Sequence, residues 1–229
     1  MKPLPRSHYA RIVSHILFIV GITLALLLAS IPAKATEPEP KLVLASKTIS
    51  LENRYANEWV SDVFQDNILL TLAYMNGMKK TKTPDWEAVK KPFTYDFTLK
   101  PGETFAFHDT AYLPAYEQNV VKTTNAHYSG YEGFKSDGYL MGDGVCHLAS
   151  LFYWAAMDAK IEATAPVNHD FAAIPEIDKI YGVAIYSDPS NRATSMQQNL
   201  YIKNNLDVPI VFRTIYNGTN LTVEVVKEI

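Results

Sequence analysis

The chain has 229 residues, and 48% of them are hydrophobic, which is enough to bury a core of its own. Its 21 lysines and arginines nearly balance its 24 aspartates and glutamates, and the formal net charge is -3. Because no basic run follows the N-terminal region, the composition argues against nucleic acid as a partner.

The N-terminal segment has the pattern of an export signal. Three basic residues precede an almost purely apolar run at residues 16–28, and small residues in an A-x-A-like pattern end at Ala35. We predict a signal peptide over residues 1–35, with an uncleaved anchor as the alternative, then a linker at 36–40 and one domain at 41–229. The domain is expected in an extracytoplasmic space, either periplasm or cell wall, with membrane contact only through the N-terminal segment.

Cys146 is the only cysteine in the chain. Exported proteins usually hold their cysteines in pairs as disulfides, so a lone one suggests an intermolecular bridge or a thiol kept for its chemistry. The alternative is that it serves as a small hydrophobic residue packed in the core.

The first elements of the domain are predicted from the spacing of apolar residues. Residues 41–51 alternate loosely between apolar and polar, which indicates an edge strand. Residues 57–75 keep a helical period and end at an Asn-Gly pair, which predicts one helix or two joined near Asp66. Residues 78–92 are rich in Lys, Thr and Pro and indicate an exposed connection. In residues 93–107, apolar and polar side chains alternate on both sides of a Pro-Gly pair, which predicts a β-hairpin.

Two histidines follow on segments that are predicted to be loops. For both His108 and His127, a solvated side chain is favoured over a ligand. The stretch from residue 112 to residue 139 is rich in Tyr and Gly and poor in aliphatic residues, so we predict that it forms surface loops lining a groove.

A buried helix is predicted to begin at Cys146. Apolar residues fall on one helical face from Val145 to Ala159. Further on, residues 181–186 predict a buried strand, and apolar runs after residue 200 alternate with turn signals, of which Asn217-Gly218 favours a hairpin. Together these patterns predict an α+β fold: a single domain whose buried central helix, opening at Cys146, packs on an antiparallel sheet.

The position of Cys146 suits a nucleophilic thiol. A helix N-terminus stabilises a thiolate through its unpaired N–H groups and its dipole, and a nearby imidazole can accept the thiol proton. His147 points about 100 degrees around the helix, so His169 is the better candidate for the base. Asp188 or Asp170 would be the third group, which orients the imidazole, although either could be a surface carboxylate.

The backbone before the cysteine suits an oxyanion hole. Gly142 and Gly144 allow a sharp entry into the helix, and their N–H groups, with that of Val145, could stabilise an oxyanion. No second cysteine and no H-x-x-x-H spacing supports a metal site, so neither a metal nor another cofactor is predicted. No two carboxylates stand out within a common groove, which argues against hydrolysis by paired carboxylates.

Residues 142–153, a glycine-rich turn followed by an apolar residue, a Cys and a helix, resemble the signature of VanW-like proteins. The resemblance covers most of the domain, and its other matching segments are Asn67-Ile68, residues 101–107, His169, Ala193-Thr194 and residues 199–205. The chain departs from the family in three ways. The usual Gln after the Cys is His147, the Asp common before the Ala-Thr pair is Arg192, and the Glu-Arg pair ahead of the His is absent.

The resemblance implies an exported protein of the bacterial cell envelope, associated with glycopeptide resistance clusters and with peptidoglycan. It implies no particular reaction. The spacing of Cys and His also resembles the core of transglutaminase-like and other papain-type folds, which implies attack of the Cys146 thiolate on an amide carbonyl.

Two functions from different classes are consistent with the sequence. In the first, the protein hydrolyses or transfers amide bonds in the peptide stems of peptidoglycan through Cys146 and His169. In the second, it is a non-catalytic module that binds peptidoglycan, Cys146 is structural, and tyrosines line the groove: Tyr112, Tyr116, Tyr128 and Tyr131. A lone exported Cys behind a glycine turn favours the first, and the loss of an acid at Arg192 favours the second.

Overall fold

The structure is a computed structural model, and it describes residues 41–109, 119–138, 140–188 and 190–228. The predicted signal peptide, the linker, Tyr112 and Tyr116 lie outside the described residues. Within the four described ranges, no helix is both long and apolar enough to cross a membrane.

The described chain contains four helices and eight strands. In chain order they are β1 (Lys41–Ser50), α1 (Glu58–Met75), α2 (Trp86–Val89), β2 (Phe93–Leu99), β3 (Thr104–Ala106), β4 (Val120–Lys122), α3 (Val145–Asp158), β5 (Glu162–Thr164), α4 (Arg192–Gln197), β6 (Tyr201–Lys203), β7 (Ile210–Tyr216) and β8 (Asn220–Glu228). Two short 3-10 turns lie at Gly130–Glu132 and Lys179–Tyr181.

The strands form two sheets of four. The first sheet is antiparallel with the order β1-β8-β7-β2, so β1 is the edge strand that the sequence predicts. Strands β7 and β8 form the predicted hairpin, in which Gly218 has a φ of +106°. The second sheet has the order β4-β3-β6-β5, with β3 and β4 parallel and the other pairs antiparallel.

Helix α3 lies at the centre of the core, against β1 and β8. Its side chains are buried on most of its surface, and those with no exposed area are Leu148, Ala149, Ser150, Leu151, Phe152, Ala155 and Ala156. Phe152 joins the sheets, since its ring centroid lies 5.6 Å from that of Phe105 on β3 and 6.0 Å from that of Phe212 on β7. The predicted α+β fold with a buried central helix is therefore confirmed.

The predicted hairpin at residues 93–107 is wrong, because its two strands belong to different sheets. Strand β2 pairs with β7, whereas β3 pairs with β6 and β4. At the crossing, the Asn204 side chain donates to the Leu99 carbonyl at 2.8 Å, and the Gly102 N–H donates to the Asn204 carbonyl at 2.8 Å. The Pro-Gly turn thus redirects the chain between the sheets. The alternation in β2 shows only that this strand buries one face, whereas all three residues of β3 are buried.

Two further segments differ from their predictions. Residues 181–186 are largely buried but form no sheet strand: the N–H of Val183 donates to the Ser150 hydroxyl at 2.9 Å, and that of Ile185 points at the Cys146 sulfur at 3.4 Å. Side chains of α3 thus replace a neighbouring strand as acceptors. The connection at 78–92 contains α2, whose N-cap Asp85 accepts from the Ala88 N–H at 3.1 Å.

Candidate functional site

The turn before α3 contains two glycines at which a side chain would be strained and too close to its neighbours. Gly142 and Gly144 have φ values of +83° and +99°, and Gly144 is the N-cap. A Cβ on Gly144 would lie 2.7 Å from the Phe64 carbonyl oxygen. The buried Asn67 side chain donates to the Asp143 carbonyl at 2.9 Å, which fastens this turn to α1.

Cys146 lies at the edge of a cavity of about 270 Å³. Side chains from distant parts of the chain line it, among them Tyr55, Asp137, Asp143, His147, His169 and Phe171. The structure therefore brings the predicted nucleophile and the predicted base to one cavity.

The thiol of Cys146 is held in its neutral form. Although the residue is partly exposed, its sulfur is surrounded by protein, and the N–H of Ile185 lies 3.4 Å from Sγ. Burial raises the pKa of the thiol to about 11, and the nearby charge of Asp143 acts in the same direction. The helix N-terminus and the Ile185 N–H do not offset this effect, so the thiol is protonated at neutral pH.

His169 lies on a loop. It is only 6% exposed, its Nδ1 has no hydrogen-bond partner among the described residues, and its ring centroid lies 4.0 Å from that of Phe171. Burial lowers its pKa, partly offset by backbone carbonyls and Asp170. Within the described ranges no hydrogen bond joins His169 to the Cys146 sulfur, so the two groups share a cavity without forming a pair.

His147 is locked by two residues that the sequence did not single out. The Arg54 Nε donates to its Nδ1 at 3.3 Å, and its Nε2 lies 3.4 Å from the Tyr55 hydroxyl. Because Nδ1 accepts, Nε2 carries the proton. Burial, then the charge of Arg54, keeps the His147 pKa well below its usual value, so this imidazole is neutral. Arg54 and His147 are 93 residues apart, so no local pattern indicates the contact.

The predicted third group and most of the predicted oxyanion donors are engaged elsewhere. Asp188 accepts from the Ser190 N–H at 2.8 Å and from the Tyr186 hydroxyl at 3.1 Å, so its carboxylate closes its own turn and does not orient His169. The N–H of Gly142 donates to the Lys135 carbonyl at 3.0 Å, and that of Val145 to the Gly142 carbonyl at 3.1 Å. Only the Gly144 N–H of the predicted set is not assigned to a carbonyl within the described part of the chain.

Two carboxylates that did not stand out in the sequence, Asp137 and Asp143, share the cavity with Cys146. The N–H of Asp137 donates to Asp143 Oδ2 at 2.8 Å, and both residues line the cavity. Burial raises the pKa of the Asp143 carboxyl to about 6, and the Asp137 side chain adds to this effect. The sequence places the two residues six apart, and only the looped backbone turns them toward one space.

A second cavity of about 360 Å³ adjoins the first, and the two share Leu140, Met141, Val145 and Ile185. We call the pair of cavities the groove. Tyr131 lines the groove with 85% of its surface exposed. Tyr128 is only 6% exposed, and its hydroxyl lies 3.0 Å from that of Thr124, so it supports the groove from below.

The other two histidines in the described part of the chain, His108 and His127, are not the solvated side chains that the sequence favours. His108 is fully buried, its Nε2 lies 3.0 Å from the Gln198 carbonyl, and burial lowers its pKa to about 4. His127 lies between Asp109, 2.8 Å from Nε2, and Glu132, 3.2 Å from Nδ1, and these carboxylates raise its pKa to about 9. His127 is therefore a cation that ties two loop segments together.

The ion pairs of His127 with Asp109 and Glu132 predict a specific loss of stability in mild alkali. The His127 pKa is raised on folding, so its contribution is fully present below the unfolded value of about 6.5 and is lost as the pH rises through about 9. We expect wild type to lose on the order of 1 kcal/mol relative to His127→Gln over that range, after allowing for the 38% exposure of the side chain. Thermal unfolding of both proteins against pH measures this, and parallel curves would contradict it.

Within the described ranges, no three His, Cys, Asp or Glu side chains come together in a way that could hold a metal ion.

The family model described as VanW like protein matches residues 94–226. No curated protein and no solved structure matches the chain. The matched segment runs from β2 into β8 and includes both carboxylates, Cys146 and His169, whereas Arg54 and Tyr55, which hold His147, lie before it.

Proposed function

This chain belongs to the VanW-like protein family, and from that premise we propose that it is an exported cell-envelope protein that binds peptidoglycan peptides in the groove above Cys146. Family membership suggests a protein associated with glycopeptide resistance, for which peptide stems are the natural ligand. One observation carries the proposal: exposed apolar side chains line the two adjoining cavities, and these are Tyr131, Leu140, Met141, Phe171 and Tyr186. Contiguous exposed apolar side chains are typical of ligand-binding grooves and other interaction sites.

The state of the site favours binding over catalysis. A nucleophilic cysteine needs a lowered pKa and a base within hydrogen-bond reach. Here burial raises the pKa of Cys146, and the sulfur contacts the Ile185 backbone rather than an imidazole. In this proposal Cys146 packs the base of the groove and the ligand lies above it.

Thiol catalysis is the second candidate, because Cys146 and His169 line one cavity. In that reaction His169 takes the thiol proton, Sγ bonds to an amide carbon, and the C–N bond breaks as the departing amine receives the proton. Water or a second amine then releases the acyl group. The reaction requires the thiolate, which the surroundings of Cys146 disfavour at neutral pH.

Co-sedimentation with purified peptidoglycan tests the proposal. We expect the double variant Tyr131→Ala, Phe171→Ala to bind about tenfold more weakly than wild type, because two exposed aromatic contacts are removed. Leu42→Ala is the matched control, since Leu42 is 50% exposed on β1 and lies outside the groove. Cys146→Ser is expected to bind like wild type. Equal binding by the double variant and the control, or no binding by wild type, would contradict the proposal.

A further inference from the structure

Tyr55 lies at the wall of the first cavity, in the segment just before α1. Its N–H donates to the Ser61 hydroxyl at 2.9 Å, and that hydroxyl donates back to the Tyr55 carbonyl at 3.0 Å. Its ring packs on the ring of Phe64, with 4.7 Å between the two centroids. Backbone and ring are both fastened to α1, so the fold fixes where the phenol hydroxyl lies.

A chain of hydrogen bonds sets the direction of that hydroxyl. A guanidinium has no acceptor, so the Nε of Arg54 must donate to Nδ1 of His147, which lies 3.3 Å away. Burial, then the charge of Arg54, keeps the His147 pKa well below its usual value, so this imidazole is neutral and its one proton is on Nε2. Nε2 lies 3.4 Å from the Tyr55 hydroxyl oxygen. The hydroxyl therefore accepts from His147 and keeps its own hydrogen for another acceptor.

Arg54 is held so firmly that it imposes this proton arrangement on His147. Its side chain has no exposed area, and its two terminal nitrogens donate to the carbonyls of Ser50 and Pro175. The carboxylate of Glu176 lies 3.6 Å from the same guanidinium. Turning the guanidinium away from His147 would leave buried donors without partners, which is costly. Nδ1 of His147 thus stays an acceptor, and Nε2 stays the donor.

The hydrogen of the Tyr55 hydroxyl is available to a ligand in the cavity. Within the described ranges, the only hydrogen bond of this hydroxyl is the one to His147, and both residues line the cavity of about 270 Å³. Burial raises the Tyr55 pKa, and the charges of Asp137 and Asp143 act in the same direction without a hydrogen bond to the hydroxyl. The phenol therefore stays protonated near neutral pH and is a donor at the cavity wall.

We infer that Tyr55 and His147 form a subsite of the groove for a neutral carbonyl oxygen of a peptide amide, which accepts a hydrogen bond from the Tyr55 hydroxyl. The inference rests on the proposed function, since it names the part of the peptide that this end of the groove recognises. Tyr55 is the binding residue. Arg54 and His147 are positioning residues, because they act on the ligand only through that hydroxyl.

The charge of the cavity favours an uncharged acceptor over a carboxylate. Burial raises the pKa of the Asp143 carboxyl to about 6, so this space disfavours negative charge. A carboxylate ligand would bring a further negative charge beside it. An amide carbonyl accepts from a hydroxyl without bringing any charge, and every residue of a peptide supplies one. An internal amide of a peptide therefore suits the subsite better than a terminal carboxylate.

Co-sedimentation with purified peptidoglycan tests the role of the hydroxyl. Tyr55→Phe keeps the ring and removes the hydroxyl, and we expect it to bind about fivefold more weakly than wild type, the effect of one neutral hydrogen bond. Tyr153→Phe is the matched control, because it removes the same group from a residue of α3 that lines neither cavity. The control should bind like wild type, and thermal unfolding verifies that each variant is folded.

Variants of His147 show whether the hydroxyl depends on the chain of hydrogen bonds. His147→Gln should bind like wild type, because an amide oxygen can accept from Arg54 while the amide nitrogen donates to Tyr55. His147→Leu should bind about threefold more weakly, because the hydroxyl loses its fixed direction. Adding His147→Leu to Tyr55→Phe should cause no further loss, since both changes remove the same interaction. An unrelated structural effect of His147→Leu would instead add to the loss.

Isothermal titration with short probes identifies the acceptor. The probes are N-acetylated tetra-alanine with a C-terminal amide, the same peptide with a free carboxylate, and the trimer of N-acetylglucosamine, which carries amide carbonyls on a glycan. We expect the amidated peptide to bind at least as tightly as the free acid and to lose about fivefold in Tyr55→Phe. The trimer should not bind. Tighter binding of the free acid that depends on Tyr55, binding of the trimer alone, or no binding of either peptide would overturn the inference.

The variants also separate this inference from the proposed function. The carbonyl subsite is overturned if Tyr55→Phe binds peptidoglycan like wild type, if His147→Gln binds as weakly as His147→Leu, or if the losses in the double variant add. The proposed function stands in those cases as long as the Tyr131→Ala, Phe171→Ala variant binds more weakly than wild type. If wild type does not bind peptidoglycan, both are overturned.

Discussion

Alkylation of Cys146 at neutral pH is expected to be about a hundredfold slower than that of an ordinary exposed thiol, because only the thiolate reacts and burial raises the pKa from 9.0 to about 11. The rate should rise tenfold per pH unit up to that value. Since Cys146 is the only cysteine, labelling reports this one site. The measurement is the pH dependence of the iodoacetamide rate in the folded protein.

Two variants and one condition make the alkylation result decisive. His169→Gln should leave the pH profile unchanged, because the imidazole makes no hydrogen bond to the sulfur. Asp143→Asn should shift the profile to lower pH, because the charge of Asp143 raises the thiol pKa. Denaturant should restore ordinary reactivity, since the shift depends on burial. A rate that is already maximal near neutral pH and that depends on His169 would instead establish the thiol-catalysis candidate.

Gly144→Ala is expected to lower the free energy of unfolding by about 3 kcal/mol, the combined effect of a left-handed backbone and of overpacking. The φ of Gly144 is +99°, and a Cβ would lie 2.7 Å from the carbonyl oxygen and 3.0 Å from the Cα of Phe64. Both are backbone atoms of α1, so no side chain can rotate away. Chemical denaturation monitored by circular dichroism measures the change.

Gly77→Ala separates the two causes. Gly77 has a similar φ of +90°, but nothing lies within 4 Å of its Cβ position. We expect it to cost only about 1–2 kcal/mol, from the backbone conformation alone. Equal losses for the two variants would show that close packing between α1 and the glycine turn is not what requires Gly144.

Elements that depend on neighbouring residues could be predicted from the sequence. The start of α1 follows from Asn57, whose side chain accepts from the Val60 N–H at 3.4 Å, and its end from the positive φ of Gly77. The β7–β8 hairpin follows from Asn217-Gly218. In each case the signal and the structure involve residues only a few positions apart.

Elements that depend on distant partners could not be predicted in this way. The alternation in β2 shows that one face is buried, but it does not show that the partner is β7 rather than β3. The helix start at Cys146 favours a reactive thiol, whereas the segment around Ile185, which encloses the sulfur, comes from much later in the chain. Arg54 likewise reaches His147 only in the folded chain.

The sequence by itself determined the α+β class, the buried central helix, the glycines before it and the family, because periodicity, turn residues and motif spacing are local properties. Tertiary structure decided the chemistry of the site. It enclosed the thiol, left Asp188 in its own turn, and brought Asp137, Asp143 and His169 to one cavity. The physical reason is that the pKa of a side chain and its hydrogen bonds depend on its burial and on the charges packed around it. Packing brings together residues that are far apart in the sequence.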